Sequence, residues 1–283
     1  MYYLGFDIGG SSVKAVLVKN DKIVNQRYEK LPATFSELAE LVASLKEDIA
    51  KPHKIKGIGF SFAGALDAKR EKMICSYNIP YLNKKPLKKI FRQKLGCENI
   101  KVEHDINCFL LAETKTGLAQ RHKNIFYLTL GTGIGSAFMV NGEIITGSHG
   151  STGELGHMIT DFERKIRFED IAANKFIKKK LGVYFSQARE LAAGGNKKAI
   201  TAFARLGRNL GIGLANIINI FDPGIIIIGG GVALAREFIV KDMQKSVNEF
   251  IISSEARKTK ILWSKLGRFG GALGAALLVQ HRI

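Results

Sequence analysis

The sequence predicts an α/β protein built from two related halves, and three observations carry that expectation. Strand-like and helix-like apolar segments alternate from Tyr2 to Thr116. A strand, glycine turn and returning strand at the N-terminus recur later: a shift of 121 residues carries Asn20 onto Asn141, Gly10 onto Gly131 and Ser11 onto Thr132 without a gap. No Ser/Pro-rich linker separates the halves, so two domains packed closely around a cleft are expected.

Residues 2–7 read as a strand, Gly9-Gly10-Ser11-Ser12 as a turn and 13–18 as the returning strand. Asn20-Asp21 supplies a hairpin turn into a third strand at 22–28. A capping box, Thr34 with Glu37, opens a helix whose buried stripe is Leu38, Leu41, Val42, Leu45 and Ile49. A strand at 55–60, a helix at 86–95, a strand at 100–103 and a helix at 106–116 complete the first half. In the second half, strand 125–130 leads through Gly131-Thr132-Gly133 into strand 135–140 and the Asn141-Gly142 turn. Helices then begin at Phe168 and Ala199. An apolar strand at 225–228, the turn Gly229-Gly230-Gly231, a further helix and a closing helix from Gly270 finish the chain.

The 283 residues are 46% hydrophobic and 24% charged, which excludes general disorder. No apolar stretch reaches the roughly 20 residues needed to span a bilayer. The longest candidate, 225–235, is broken by three glycines. The N-terminus lacks a charged, then apolar, leader pattern, so a cytoplasmic protein is expected. Cys75, Cys97 and Cys108 form no CxxC pair and read as small apolar fillers. Lys and Arg number 43 against 25 Asp and Glu, a formal charge of +18. Such an excess suits nucleic acid, a membrane surface or a polyanion. The lysines are scattered, however, with Lys178-Lys179-Lys180 the only run of three, so a solvated cationic surface is the first reading.

Glycine turns between strands leave backbone N–H groups open to phosphate oxygens. Two stand in equivalent places, in GFDIGGSSVK and LTLGTGIG, and a third follows an apolar strand in IIIIGGGVA. Neither the GxxxxGK[ST] pattern nor a strand-to-helix GxGxxG occurs, so P-loop and Rossmann sites are excluded. Asp7 closes the first strand against its turn. A carboxylate there would repel phosphate unless a cation intervened, which marks it for Mg²⁺, through water.

Taken in order, DIGGSSVKA, VEHDINCFLLAE, LGTGIG and TGELGHM resemble the ROK family (repressor, open reading frame, kinase), from about Gly5 to Gly274. The resemblance implies two actin-like ATPase (ribonuclease H-like) domains, each on a mixed five-stranded sheet. The expected division is a small α/β domain at 1–106 plus 271–283 and a large one at 107–270. It also implies a sugar kinase of the glucokinase type, with Asp105 as catalytic base. A sugar hydroxyl attacking a phosphoryl group needs such a proton acceptor. The alternative for Asp105 is a helix N-cap. Gly64, Asn78, Glu154 and His157 match the family's sugar contacts, and Glu169 its further sugar glutamate. Asn107 either supports this region or closes a helix turn. Gly9, Gly10, Ser11, Gly131, Thr132 and Gly133 match the phosphate turns, and Gly229, Gly230 and Gly231 the adenosine-side turn. Asn216 and Asn219 read as helix-surface polarity, and Lys14 as a solvated lysine outside the site.

Two departures from the family stand out. His104 replaces the asparagine that usually precedes the catalytic aspartate and contacts sugar, and the CxCGxxGC zinc loop is absent, so no zinc is expected. The expected activity is transfer of the γ-phosphate of ATP, with Mg²⁺, to O6 of glucose, a related hexose or an N-acetylhexosamine. Inorganic polyphosphate is the alternative donor, suggested by the charge and by a DIGGSxxK-like opening. A transcriptional repressor is disfavoured because Asp7 leaves no room ahead of it for a DNA-binding segment, and a non-catalytic sugar sensor has no need of Asp105. Neither nucleic acid nor membrane is an expected partner. A homodimer is left open.

Overall fold

The computed structural model describes Met1–His281. In chain order the elements are β1 (Tyr2–Ile8), β2 (Ser12–Lys19), β3 (Lys22–Lys30), α1 (Phe35–Ala50), β4 (Ile55–Phe62), β5 (Ala65–Leu66), β6 (Met73–Cys75), α2 (Leu87–Leu95), β7 (Ile100–His104) and α3 (Asp105–Lys115). There follow β8 (Ile125–Leu130), β9 (Ile134–Val140), β10 (Glu143–Ile144), β11 (Ile159–Asp161), β12 (Ile166–Arg167), α4 (Phe168–Ala172), α5 (Asn174–Leu181), α6 (Phe185–Ala193) and α7 (Lys197–Phe221). The chain closes with β13 (Ile225–Gly229), α8 (Arg236–Phe250), β14 (Lys260–Trp263) and α9 (Gly270–Gln280). Two compact units result. The first is Met1–Arg121, Ile144–Thr152 and the chain from Lys265; the second is His122–Glu143 and Gly153–Ser264. Helix α3 therefore belongs with the first unit, whereas the sequence reading divides the chain at 106/107, inside its first turn.

In the first unit a five-stranded sheet runs β3-β2-β1-β4-β7. Its hairpin side is antiparallel and its β1–β4–β7 side parallel. One face is covered by α1, whose Leu38, Val42, Leu45 and Ile49 are buried as the stripe requires. The capping box is formed: Glu37 N donates to Thr34 Oγ1 at 3.3 Å and Thr34 N to Glu37 Oε2 at 3.1 Å. Phe60 stacks on Phe91 with ring centroids 4.5 Å apart. Against the other face lies α9, so close that a Cβ on Gly5 would run into Ala272 O and one on Gly59 into Ala275 O; α9 also meets α3, where a Cβ on Gly274 would run into Cys108 O. Glycine inside a helix costs about 1 kcal/mol relative to alanine. Here that cost allows main chain to touch main chain, which no side chain would permit.

The second unit repeats the plan, with its five strands in the order β10-β9-β8-β13-β14. Strands β8 and β9 are antiparallel, and β13 is parallel to both β8 and β14. The fold thus echoes the 121-residue recurrence of the sequence. Its core is built on α7, where Leu206, Leu210, Leu214 and Ile217 pack with Phe168, Phe203, Ile226 and Ile228. The N-cap of α7 is Asn196, whose Oδ1 accepts from Ala199 N at 3.1 Å. Asn219, on the outside of α7, takes a structural part: it donates to Phe250 O and accepts from Ile252 N. Among the described residues, no helix is long and apolar enough to cross a membrane.

Candidate functional site

The first unit gathers its chemistry at the C-terminal ends of β1, β4 and β7. Asp7 lies on β1 directly opposite Lys14 of β2 and beside Ser61 of β4. Paired residues in a sheet share a face. Lys14 Nζ accordingly donates to Asp7 Oδ2 at 2.8 Å, and Ser61 Oγ to Asp7 Oδ1 at 2.8 Å. The carboxylate is only 4% exposed. Lys14 is thus no solvated lysine. Hairpin register alone would have placed it against Asp7, whereas Ser61 depends on a parallel pairing that sequence does not reveal.

The next β-strand over leads into Asp105. β7 ends at His104, which is the N-cap of α3 without making a side-chain cap bond, and Asp105 is the first helical residue. The capping alternative for Asp105 is therefore displaced by one position. Asp105 Oδ1 accepts from Ile106 N at 2.8 Å and lies 3.2 Å from His104 Nδ1. About a quarter of its side chain is open, 26% by area. Burial is the largest influence on its acidity and pushes the carboxyl pKa up; His104 draws it down, Asp7 pushes it up, and the Ile106 N–H and Lys14 draw it down, with a net upward shift.

Behind Asp105 stands a network that sequence reasoning missed. Glu103 Oε1 accepts from His104 N at 2.8 Å and from Asn107 Nδ2 at 3.0 Å. The same oxygen pairs with Arg70 Nε at 3.0 Å, and Arg70 Nη1 donates to Gly150 O at 3.3 Å. Asn107 so belongs to the support of this region. Gly64 and Asn78 flank the strand ends. Gly64 has φ +150°, and a Cβ there would meet Cys75 O at 2.7 Å. Asn78 packs on the first turn, where a Cβ on Gly10 would lie 2.8 Å from Asn78 Cβ. The turn itself is closed by Gly9 N donating to Ser12 O at 3.0 Å, and it leaves Gly10 and Ser11 exposed. Cys108 is buried, and burial raises its thiol pKa well above the ordinary value, which suits an inert filler.

The second unit holds the remaining residues. Gly131 N donates to Gly133 O at 3.0 Å, leaving Thr132 exposed. Glu169 fits against this turn: a Cβ on Gly133 would lie 2.5 Å from its Oε2, and one on Gly156 would lie 3.2 Å away. One carboxylate therefore touches both LGTGIG and GELGH. Its other oxygen accepts from Lys175 Nζ at 2.7 Å, and the same ammonium lies 2.7 Å from Asp170 Oδ1. Glu154 and His157 are both more than half exposed, with His157 Nε2 3.8 Å from Glu154 Oε2. Their turn is pinned to β9 by Ser136 Oγ, which donates to Gly153 O at 2.8 Å. Gly230 has φ +86°, and a Cβ there would strike Leu130 backbone, so this turn accepts only glycine.

Mg²⁺ keeps most of its waters and asks for one or two carboxylates, not a cage. Asp7 and Asp105, close enough for one to shift the acidity of the other, suit a hydrated ion. With both Asp7 oxygens already engaged, contact through water fits better than direct ligation.

The comparisons agree in direction. An N-acetyl-D-glucosamine kinase of Vibrio vulnificus is 29% identical over 98% of this chain and 99% of its own length. Among solved structures, a ROK family glucokinase from Streptomyces griseus in complex with glucose and AMPPNP superposes with TM-score 0.85 at 26% identity, covering 99% of this chain and 100% of that one. A ROK hexokinase from Thermus thermophilus gives TM-score 0.86 at 27% identity over 98% of both chains. These likenesses bear out the expected two-sheet, actin-like fold. The model of the ROK family matches residues 3–282, and the chain belongs to that family.

Proposed function

We propose that the protein is a sugar kinase that moves the γ-phosphoryl group of ATP to O6 of glucose, a related hexose or an N-acetylhexosamine. The observation that carries this reading is Asp105, a partly open carboxylate of raised pKa, fixed at the start of a helix and near enough to Asp7 to feel its charge. It takes the proton of the attacking hydroxyl as the sugar oxygen bonds to phosphorus and the bond to ADP oxygen breaks. The glycine turns at 9–11, 131–133 and 229–231 offer backbone N–H groups to the nucleotide, and Lys14 adds a fixed positive charge beside the first. Mg²⁺, when bound with ATP near Asp7, would neutralise charge on the phosphate oxygens. By their match in position to the family's sugar contacts, the reading assigns Gly64, Asn78, His104, Glu154, His157 and Glu169 to the sugar.

Relatives acting on N-acetylglucosamine and on glucose support the substrate class. Polyphosphate as donor is the second reading, favoured by the charge of +18. A panel of hexoses and N-acetylhexosamines, each offered with Mg-ATP and with polyphosphate, tests both. Sugar phosphate formed with ATP supports the first reading; turnover with polyphosphate alone replaces it with the second.

A further inference from the structure

The second unit contains a cavity of about 680 Å³ whose lining is lopsided in charge. Seven Lys and Arg side chains surround it against the single carboxylate of Asp170. They come from three places: Arg164 and Lys165 from the β11–β12 turn, Lys175 and Lys178–Lys180 from α5, and Arg205 from α7. Lysines in the last turn of α5 are partly explained by their favourable interaction with the negative end of the helix dipole. Lys178 and Lys180 also rest over the rings of Tyr184 and Phe176. Neither reason reaches Arg164, Lys165 or Arg205, which belong to other elements. Cations gathered around one cavity repel one another unless an anion joins them.

We propose that this cavity binds an inorganic oligophosphate, and that Lys175 reports its occupancy to Glu169. The lining suits a chain of phosphates better than a nucleotide, because its one aromatic residue, Phe176, is buried and offers no face to a base. Lys175 is the link. Its ammonium already bridges Glu169 and Asp170 at 2.7 Å each and borders the cavity. An anion there draws Lys175 away from Glu169 and loosens a carboxylate packed against both Gly133 and Gly156. The effect on sugar rests on the kinase reading above; the binding itself does not.

Calorimetry with inorganic tripolyphosphate, in the absence of sugar and nucleotide, tests the site. Wild type should bind it, and binding should weaken with added salt. Inorganic orthophosphate, with one charge centre, should bind at least about tenfold more weakly, since fewer cations engage it. The double variant Lys179→Glu with Arg205→Glu should lose tripolyphosphate at least about tenfold while keeping its circular dichroism and its basal turnover. In wild type at saturating ATP, tripolyphosphate should raise the sugar KM about fivefold, the low end of ordinary coupling between sites, and the double variant should not respond. Absence of binding to wild type, or equal binding by the double variant, overturns the site. Binding with an unchanged sugar KM overturns the relay. A protein that binds tripolyphosphate yet phosphorylates no sugar contradicts the kinase reading and leaves the site standing.

Discussion

Lys14 Nζ donates to Asp7 Oδ2 at 2.8 Å, and the two residues are direct cross-strand partners in β1 and β2. Side-chain exposures of 16% and 6% make this a largely desolvated pair. Asp7 is therefore neutralised before any metal or phosphate arrives, and a positive charge is fixed beside the first glycine turn. The pair also lowers the negative potential that Asp105 feels.

Removing one partner of such a pair strands the other charge, at a cost of about 3–5 kcal/mol. Lys14→Met should accordingly lower the melting temperature, and adding Asp7→Asn should restore much of the loss. Because Lys14 draws the Asp105 pKa down, its removal should also move the acid limb of the rate profile to higher pH. Thermal melts of the single and double variants check the first point and kcat/KM against pH the second. An unchanged melting temperature in Lys14→Met contradicts the pairing.

The raised pKa of Asp105 has consequences for stability and for rate. A partly buried acid that holds its proton more tightly when folded leaves stability untouched below its unfolded pKa. It lowers stability as pH rises through the folded pKa, and the full cost remains at neutrality. Asp105→Asn should therefore raise the melting temperature at pH 7 while abolishing most turnover. In wild type, the acid limb of kcat/KM should lie above the ordinary carboxylate value of 3.8. A less stable Asp105→Asn protein at pH 7 contradicts the electrostatic account.

Glu103 holds Arg70, Asn107 and the His104 N–H on one side of Asp105. Glu103→Gln keeps the shape but leaves Arg70 without its counter-charge. Loss of stability of about 3–5 kcal/mol is expected, with kcat falling more than sugar KM rises, since Asp105 loses its orientation. Melts and steady-state kinetics read both; a fall in stability with unchanged kcat would leave Glu103 a purely structural residue.

His157 faces solvent beside Glu154, with no cysteine between it and Glu169. His157→Ala should raise sugar KM without unfolding the protein, and metal analysis of the tag-free chain should find no stoichiometric zinc. One tightly held zinc per chain, with a lower melting temperature after chelation, contradicts this reading.

Much of this was legible in the sequence because its signals are local. Thr34 with Glu37 states where α1 begins, and alternation states β1 to β3. The edge strand β14 was not legible: four residues, KILW, carry no usable period. Helices α5 and α6 are eight and nine residues long, and an αL glycine, Gly182, ends the first of them. Residues matched to family motifs could be named without geometry. Ser61, Arg70, Glu103 and Lys175 could not, because each acts through a partner set by tertiary packing. Lys14 lies between these cases, since a turn at 9–12 dictates its register with Asp7.

In the proposed reaction Asp105 deprotonates a sugar hydroxyl during transfer from ATP. Its most direct test is the rate of sugar phosphate formation from Mg-ATP with glucose and with N-acetylglucosamine, in wild type and Asp105→Asn, alongside calorimetry of sugar binding. Turnover on at least one of these sugars is expected, with a fall of about 10²–10⁴ in kcat for the variant and sugar affinity nearly unchanged. Near wild-type kcat in Asp105→Asn, with sugar bound equally well, would show that another group takes the proton.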